Sequence, residues 1–251
     1  MRRRSILPVF VFLALLLSGC AGNPSYDPWL VPRDSFLART RAIALSPIQV
    51  PEDLEEPEPV EAMFDSLIAN ALRAAGFSVV ASDIVLEIWN HGADSIGGYY
   101  DPMTGRPDTS KLNPLRRYFR QRLRDEHGAQ AVLLPEIVVV DASYADGEAS
   151  WDGTSQAVAG FFAILLSAIA NSQMPAGAAE GFSLDVQIES VDGGVVYTNR
   201  GGIELWAKPS GDGSRLNWVP RERLFADRKR CEKAVRIALE PVLKREGSVA
   251  R

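Results

Sequence analysis

The sequence predicts an α/β domain, a single mixed β-sheet with packed helices, from three stretches. Residues 41–89 run strand, helix, strand, helix, an order that lays helices on a sheet. Residues 131–144, AVLLPEIVVVDASY, are the most strand-like run in the chain, rich in β-branched and apolar side chains. Residues 182–191, FSLDVQIESV, alternate apolar and polar, turn at Asp192-Gly193-Gly194 and return through residues 195–206, the pattern of a half-exposed antiparallel pair.

At the amino terminus, Arg2, Arg3 and Arg4 precede an apolar run, residues 6–17, broken only by Pro8 and followed by Ser18 and Gly19. This is the charge, length and small-residue pattern of a secretory signal, and the run is too short to span a bilayer. Leu17-Ser18-Gly19-Cys20 resembles a bacterial lipobox, where the signal is cleaved before a cysteine that is lipidated on its sulfur and new amino terminus. The resemblance implies a mature chain starting at Cys20 with three acyl chains, which anchor stably where one holds only marginally. Ala21 in place of aspartate implies sorting to the outer membrane, with the domain facing the periplasm. Cleavage removes three of the 27 basic residues and none of the 32 acidic ones, leaving 24 against 32 and a formal charge of −8. That balance does not point to nucleic acid. Once Cys20 is lipidated, Cys231 has no partner within the chain, and its place in a helical pattern predicts burial.

Residues 20–38 read as a lipidated tether with three prolines, and residues 39–251 as a single periplasmic domain. Trp29 and Leu30 fit either membrane contact or packing back on that domain. Residues 41–50, RAIALSPIQV, predict the first strand, and the acidic loop PEDLEEPEPVE leads into a helix over 62–75. In that helix Phe64, Leu67, Ile68, Ala71, Leu72 and Ala75 recur at three- and four-residue steps, and Gly76 is placed for a left-handed cap. Residues 77–81 predict a second strand, and Ser82-Asp83 the cap of a short helix through Ile84, Leu86 and Ile88 to Trp89.

A loop over residues 92–114 follows, with Asp101, Thr104 and Asp108 suited to turn chemistry, since their spacing lacks the ligand pattern of a calcium loop. Tyr99 and Tyr100 in this loop fit recognition aromatics or a lid on the core. Residues 115–127 predict a helix with Leu115, Phe119 and Leu123 as its buried stripe and Gly128 as its end. It carries Arg116, Arg117, Arg120, Arg122 and Arg124, five arginines in nine positions. They suit an anionic glycan, lipid headgroups or an acidic partner, or else pairing with acids such as Asp125 and Glu126. Pro135 predicts a bulge or break in the central strand. Asp146-Gly147 and Asp152-Gly153 predict two turns around the short run EASW.

Residues 157–170, AVAGFFAILLSAIA, are apolar nearly all round and too short to cross a membrane as a helix. They read as buried in the domain or against another subunit, ahead of lying on a bilayer, for which the Lys/Arg flanks of an interfacial helix are missing. A polar loop, residues 208–218, follows the hairpin. Pro220 predicts a helix start, and residues 224–245 a long amphipathic helix kinked or split at Pro241.

Together the strand RAIALSPIQV, the helix ending LRAAGF, the strand AVLLPEIVVV, the hairpin and the closing helix resemble a group of outer-membrane lipoproteins whose domain is like the amino-terminal domain of TolB. The group includes peptidoglycan-associated lipoproteins and activators of peptidoglycan synthases, and the likeness covers roughly residues 40–246. It implies a non-catalytic, membrane-anchored binding domain for protein or peptidoglycan in envelope assembly or maintenance. His91 and His127 stand alone near helix ends, and no nucleophile elbow, metal-binding or phosphate-loop motif occurs. No cofactor or metal is expected. Asp185 and Glu189 are the acid pair a cell-wall hydrolase would need. A homo-oligomeric export or pore-forming subunit is the other alternative, carried by residues 157–170. For partner contact the sequence nominates Tyr99, Tyr100, Arg116, Arg117, Arg120 and Arg124.

Overall fold

Trp29 packs back on the domain. Its ring lies 5.4 Å from Phe36 and 4.8 Å from Tyr197, and Phe36 is the buried residue of α1 (Arg33–Arg39). The computed structural model describes residues 26–52, 54–145, 147–158, 176–209 and 216–244, so Cys20 and all but the first two residues of the apolar segment 157–170 lie outside it. The tether expected through residue 38 therefore gives way to the domain near Pro28. Trp29, Val31, Phe36 and Leu37 all pack on the main core, apolar area the proline-rich composition concealed. The backbone around Trp29 also covers a sheet edge, through Leu30 N–H to Val196 O (3.0 Å) and Thr198 N–H to Pro28 O (3.0 Å).

β1 (Ala42–Leu45) is the middle of a parallel trio. It pairs with β2 (Ser78–Val80) on one side and with the start of β3 (Ala131–Ala145) on the other. The connection from β1 to β2 is α2 (Pro57–Ala74); that from β2 to β3 runs through α3 (Ser82–Ser95) and α4 (Thr109–His127). Parallel crossovers are right-handed, so one that moves to the left of β1 and one that returns past its right must lie on opposite faces. The core obeys this. Phe64, Ile68 and Leu72 of α2 meet Ile43 and Leu45 in one cluster, whereas Val85 and Ile88 of α3 and Leu123 of α4 meet Ala44 and Val132 in another.

β3 runs antiparallel to β6 (Gly177–Ser190), and β6 to β7 (Val195–Leu205), giving the mixed sheet the sequence predicts. Pro135 causes no break: the β3–β6 register continues through Pro135↔Val186. Its missing N–H faces the other edge, where β1 has already turned away and Gln49 N–H reaches the Pro135 carbonyl at 3.0 Å. Beyond this point β3 pairs instead with β4 (Glu148–Trp151), which pairs with β5 (Thr154–Ala157). That hairpin curls toward β7, with Gly202 N–H donating to Asp152 O at 3.0 Å and Trp151 buried in a satellite cluster. β8 (Ala207–Pro209) and β9 (Leu216–Trp218) form a small separate ribbon.

A 3-10 turn at Arg221–Arg223, where Pro220 was expected to start the helix, precedes α5 (Arg228–Leu243), which covers the α2 face. Pro241 neither splits nor ends α5, whose buried residues extend to Val242. Cys231 is fully buried in it, and burial pushes its thiol up to about 12.

The helix starts differ from expectation: α2 begins at Pro57 rather than residue 62, taking in the end of the acidic loop, and α5 at Arg228 rather than residue 224. Ala81, not Ser82 or Asp83, precedes α3; the Ser82 hydroxyl instead donates to Asp65 of α2 at 2.5 Å. α4 begins six residues before Leu115. Asp108 caps it by accepting the Ser110 N–H at 2.9 Å, and Pro114, one turn in, costs a single backbone bond.

Candidate functional site

The switch in strand order around β1 leaves a crevice at that strand's carboxyl end, the place where open α/β sheets hold ligands. Here it is a cleft of about 450 Å³ on the α3–α4 face. Ser46 and Gln49 form one edge as the chain leaves β1. Trp89 of α3 and Phe119 of α4 form the wall, with Val132 and Leu134 of β3 beneath, and Arg116 and Arg120 stand along α4.

The wall is aromatic and pre-formed. Trp89 meets Tyr99 edge-on at 5.6 Å and Phe119 edge-on at 5.4 Å, the arrangement that the ring quadrupoles favour. Tyr99 is held there by the loop after α3. Asp101 accepts the Met103 N–H at 2.7 Å and the Thr104 N–H at 3.3 Å, while Asp108 N–H donates to Tyr99 O at 2.7 Å. The carboxylates of Asp101 and Asp108 thus fold the turn and cap α4, as turn chemistry requires. Bonds from Ser110 hold the Asp108 carboxyl below its usual range. Among the described residues no group of three or more potential metal ligands occurs.

The arginines divide by partner. Arg120 makes an ion pair with Glu189 of β6 at 3.0 Å, and Gln187 holds the other oxygen of that carboxylate at 3.1 Å. Arg124 pairs with Asp192 in the β6–β7 turn, and Arg122 pairs with Glu126 and lies 5.8 Å over the Tyr118 ring. Arg116 and Arg117 are exposed and have no ion-pair partner among the described residues. The expected pairing of α4 arginines with acids therefore holds for three of the five, and two of those acids come from the hairpin rather than from α4 itself.

Of the residues nominated by sequence, Tyr99, Arg116 and Arg120 converge on the cleft. Arg117 and Arg124 lie instead in an adjoining groove, where α4 faces Val191 and Asp192; Arg116 and Arg120 line both depressions. Tyr100 points outward, 55% exposed, stacked on Tyr99 at 4.6 Å. Sequence reasoning did not place Trp89, Phe119, Ser46 or Gln49 at a site, and it offered Glu189 only as half of an acid pair. Phe119 was assigned to the buried stripe, and it is only partly covered because the cleft opens over it. A usable signal existed in Leu86, an apolar residue off the Val85/Ile88 stripe and 46% exposed at the cleft mouth.

Behind the cleft, Asp65 joins α2 to the start of α3. Its carboxylate accepts from Ser82 at the start of α3 through Oδ2, while its Oδ1 is buried with no hydrogen-bond partner among the described residues. Burial pushes this carboxyl above its ordinary 3.8, with the Ser82 bond opposing. The acid pair a hydrolase would need is engaged elsewhere: Asp185 pairs with Arg200 at 2.9 Å, and Glu189 with Arg120.

No family model matches the chain, and no curated protein matches it. Solved structures similar to it include two PelC dodecamers from Paraburkholderia phytofirmans. One is 12% identical and covers 83% of this chain and 91% of its own with a TM-score of 0.36; a point variant is 13% identical, covers 82% and 91%, and scores 0.35. The site is accordingly read from its own residues.

Proposed function

We propose that this chain is a lipid-anchored, non-catalytic binding protein of the bacterial envelope. Cys20 holds it in the outer membrane, and the domain faces the periplasm and engages peptidoglycan or an envelope protein. The anchor rests on Leu17-Ser18-Gly19-Cys20 and the charged and apolar regions before it. The binding role rests on one observation: Arg116 and Arg117 stand exposed and unpaired among the described residues, beside an aromatic-walled cleft at the carboxyl end of β1. Two unneutralised guanidiniums next to a concave apolar surface suit an anionic partner with an apolar body.

The test uses the full-length lipidated protein. Wild type is expected to co-sediment with purified peptidoglycan sacculi or to cross-link to an envelope protein, less so at high salt. Arg116→Glu/Arg117→Glu is expected to lose that capture with its unfolding temperature unchanged. Arg120 is unsuitable for such a reversal, because a glutamate there would face Glu189. Capture equal to wild type would remove α4 from the contact. With residues 1–20 replaced by a signal peptide that is cleaved without lipidation, the protein should appear in the soluble periplasmic fraction; membrane retention would rule out the anchor.

A further inference from the structure

We propose that the cleft between α3 and α4 binds a saccharide bearing a single carboxylate, with a sugar ring against the Trp89–Tyr99–Phe119 wall and the carboxylate on Arg116. The inference rests on the binding role proposed above and names its ligand class.

Three features of the cleft carry it. First, the wall offers aromatic surface beside hydrogen-bonding groups, the Ser46 hydroxyl and the Gln49 amide. A pyranose matches this pairing, since its axial C–H groups suit an electron-rich ring face while its hydroxyls reach the rim. Second, the charged groups at the cleft are Arg116, Arg120 and Glu189, and the Arg120–Glu189 pair at 3.0 Å cancels internally. One positive charge remains, on a planar fork built for bidentate contact with a carboxylate. Glu189 further disfavours a dianionic phosphate, while its carboxylate accepts from sugar hydroxyls. Third, about 450 Å³ of concave space suits one or two rings, and a flat lipid surface has no access to its floor.

The experiment is calorimetry on the full-length lipidated protein in detergent micelles with three probes. These are the N-acetylglucosamine–N-acetylmuramic acid disaccharide, which has one carboxylate, N,N′-diacetylchitobiose (chitobiose below), which is uncharged and has the same N-acetylated ring pair without the lactyl group, and a short glutamate-rich peptide. The carboxylated disaccharide is expected to bind about tenfold more tightly than chitobiose, the size of one charge-assisted contact at a half-open site. Arg116→Ala should bring the two sugars to the same affinity without changing chitobiose. Trp89→Ala, its fold checked by thermal unfolding, should abolish both.

Equal affinity of wild type for the two sugars, or an unchanged preference in Arg116→Ala, would overturn the assignment. Binding of the peptide alone would overturn the saccharide and leave the binding role standing. Binding of none of the probes would also overturn the saccharide, and the α4 charge reversal would then judge the binding role by itself.

Discussion

Gly201→Ala tests how closely β7 and α5 are fitted. A Cβ at Gly201 would lie 2.1 Å from the Ala234 carbonyl oxygen, 2.9 Å from its carbon and 3.0 Å from Ala238 N. All three are helix backbone, so no side chain can swing aside, and α5 would have to lift by about 1 Å to restore ordinary contact. The lift would disturb bonds from the same face of β7. Asn199 donates to the carbonyls of Ile237 and Ala238 at 3.2 Å each, and the Tyr197 hydroxyl donates to Ala238 O. Overpacking costs about 1–3 kcal/mol, and each weakened bond about 1 kcal/mol. Alanine returns roughly 0.5–1 kcal/mol in strand conformational entropy. The net loss is about 3 kcal/mol, or roughly 6–12 °C in Tm for a domain of this size. Urea and thermal unfolding of the full chain measure it, with Gly202→Ala alongside. There the nearest atoms, at 2.7 to 3.0 Å, belong to the buried Trp151 and Thr154 side chains of the β4–β5 hairpin, so that variant reports on the opposite face of β7. Gly201→Ala unfolding within about 0.5 kcal/mol of wild type would refute the close approach.

Glu204→Ala should cost about 2–3 kcal/mol, because the buried Glu204 carboxylate accepts the N–H of Phe225, a non-glycine residue held at φ +60°; a urea midpoint shift under a third of that size would contradict it. Asp65 should make stability fall as pH rises. Its folded-state pKa lies above the ordinary 3.8, so its contribution is complete below 3.8 and is lost as pH climbs through the raised value. Asp65→Asn should flatten that part of a pH series of urea midpoints, and an unchanged slope would assign the titration elsewhere. Cys231 should resist thiol reagents at pH 8 until the protein unfolds; fast labelling of the native protein would contradict its burial. Gly92→Ala should weaken ligand binding at the cleft more than it lowers Tm. Its Cβ would sit 2.6 Å from Leu115 Cδ1 and 2.8 Å from the Tyr118 ring, wedging α3 from α4, while alanine gains about 1 kcal/mol of helix propensity. Unaltered binding would separate helix spacing from cleft shape.

Much of the fold was legible because local pattern and burial agree. The stripe Phe64, Leu67, Ile68 and Leu72 is buried as its spacing predicts, and the alternation in FSLDVQIESV places Leu184, Val186 and Ile188 inward. Where composition and tertiary contact pulled apart, the sequence misled. Three prolines made residues 21–38 read as a tether, yet Trp29 packs on Phe36 and Tyr197 and covers the edge of β7. Pro114 made the start of α4 read as loop, although Asp108 was a cap in plain view. The long loop shrank accordingly to residues 96–108. Gly201 and Gly202 lie beside a register shift at Phe182/Ser183 and let α5 and the β4–β5 hairpin approach β7 from its two faces, a role no local pattern announces.

The candidate site was half legible. The α4 arginines announce themselves by charge, and Tyr99 by its loop. Trp89 and Phe119 looked like ordinary core, because a cleft depends on how far α3 and α4 stand apart, which no helical periodicity encodes. Glu189 looked like one acid of a possible catalytic pair; only the β6 register, which puts it opposite Val132, brings it to Arg120.

The most direct test of the α3–α4 face as the binding surface is photo-crosslinking in living cells. A benzophenone side chain would replace Gln121, in the groove beside the cleft, or Lys233, exposed on α5 across the sheet. Benzophenone inserts into C–H bonds of protein and glycan alike, so the readout does not presuppose the partner. The account predicts a discrete adduct from position 121, lost in the Arg116→Glu/Arg117→Glu background, and none from 233. Adducts from 233 alone, or adducts from 121 that survive the charge reversal, would contradict it.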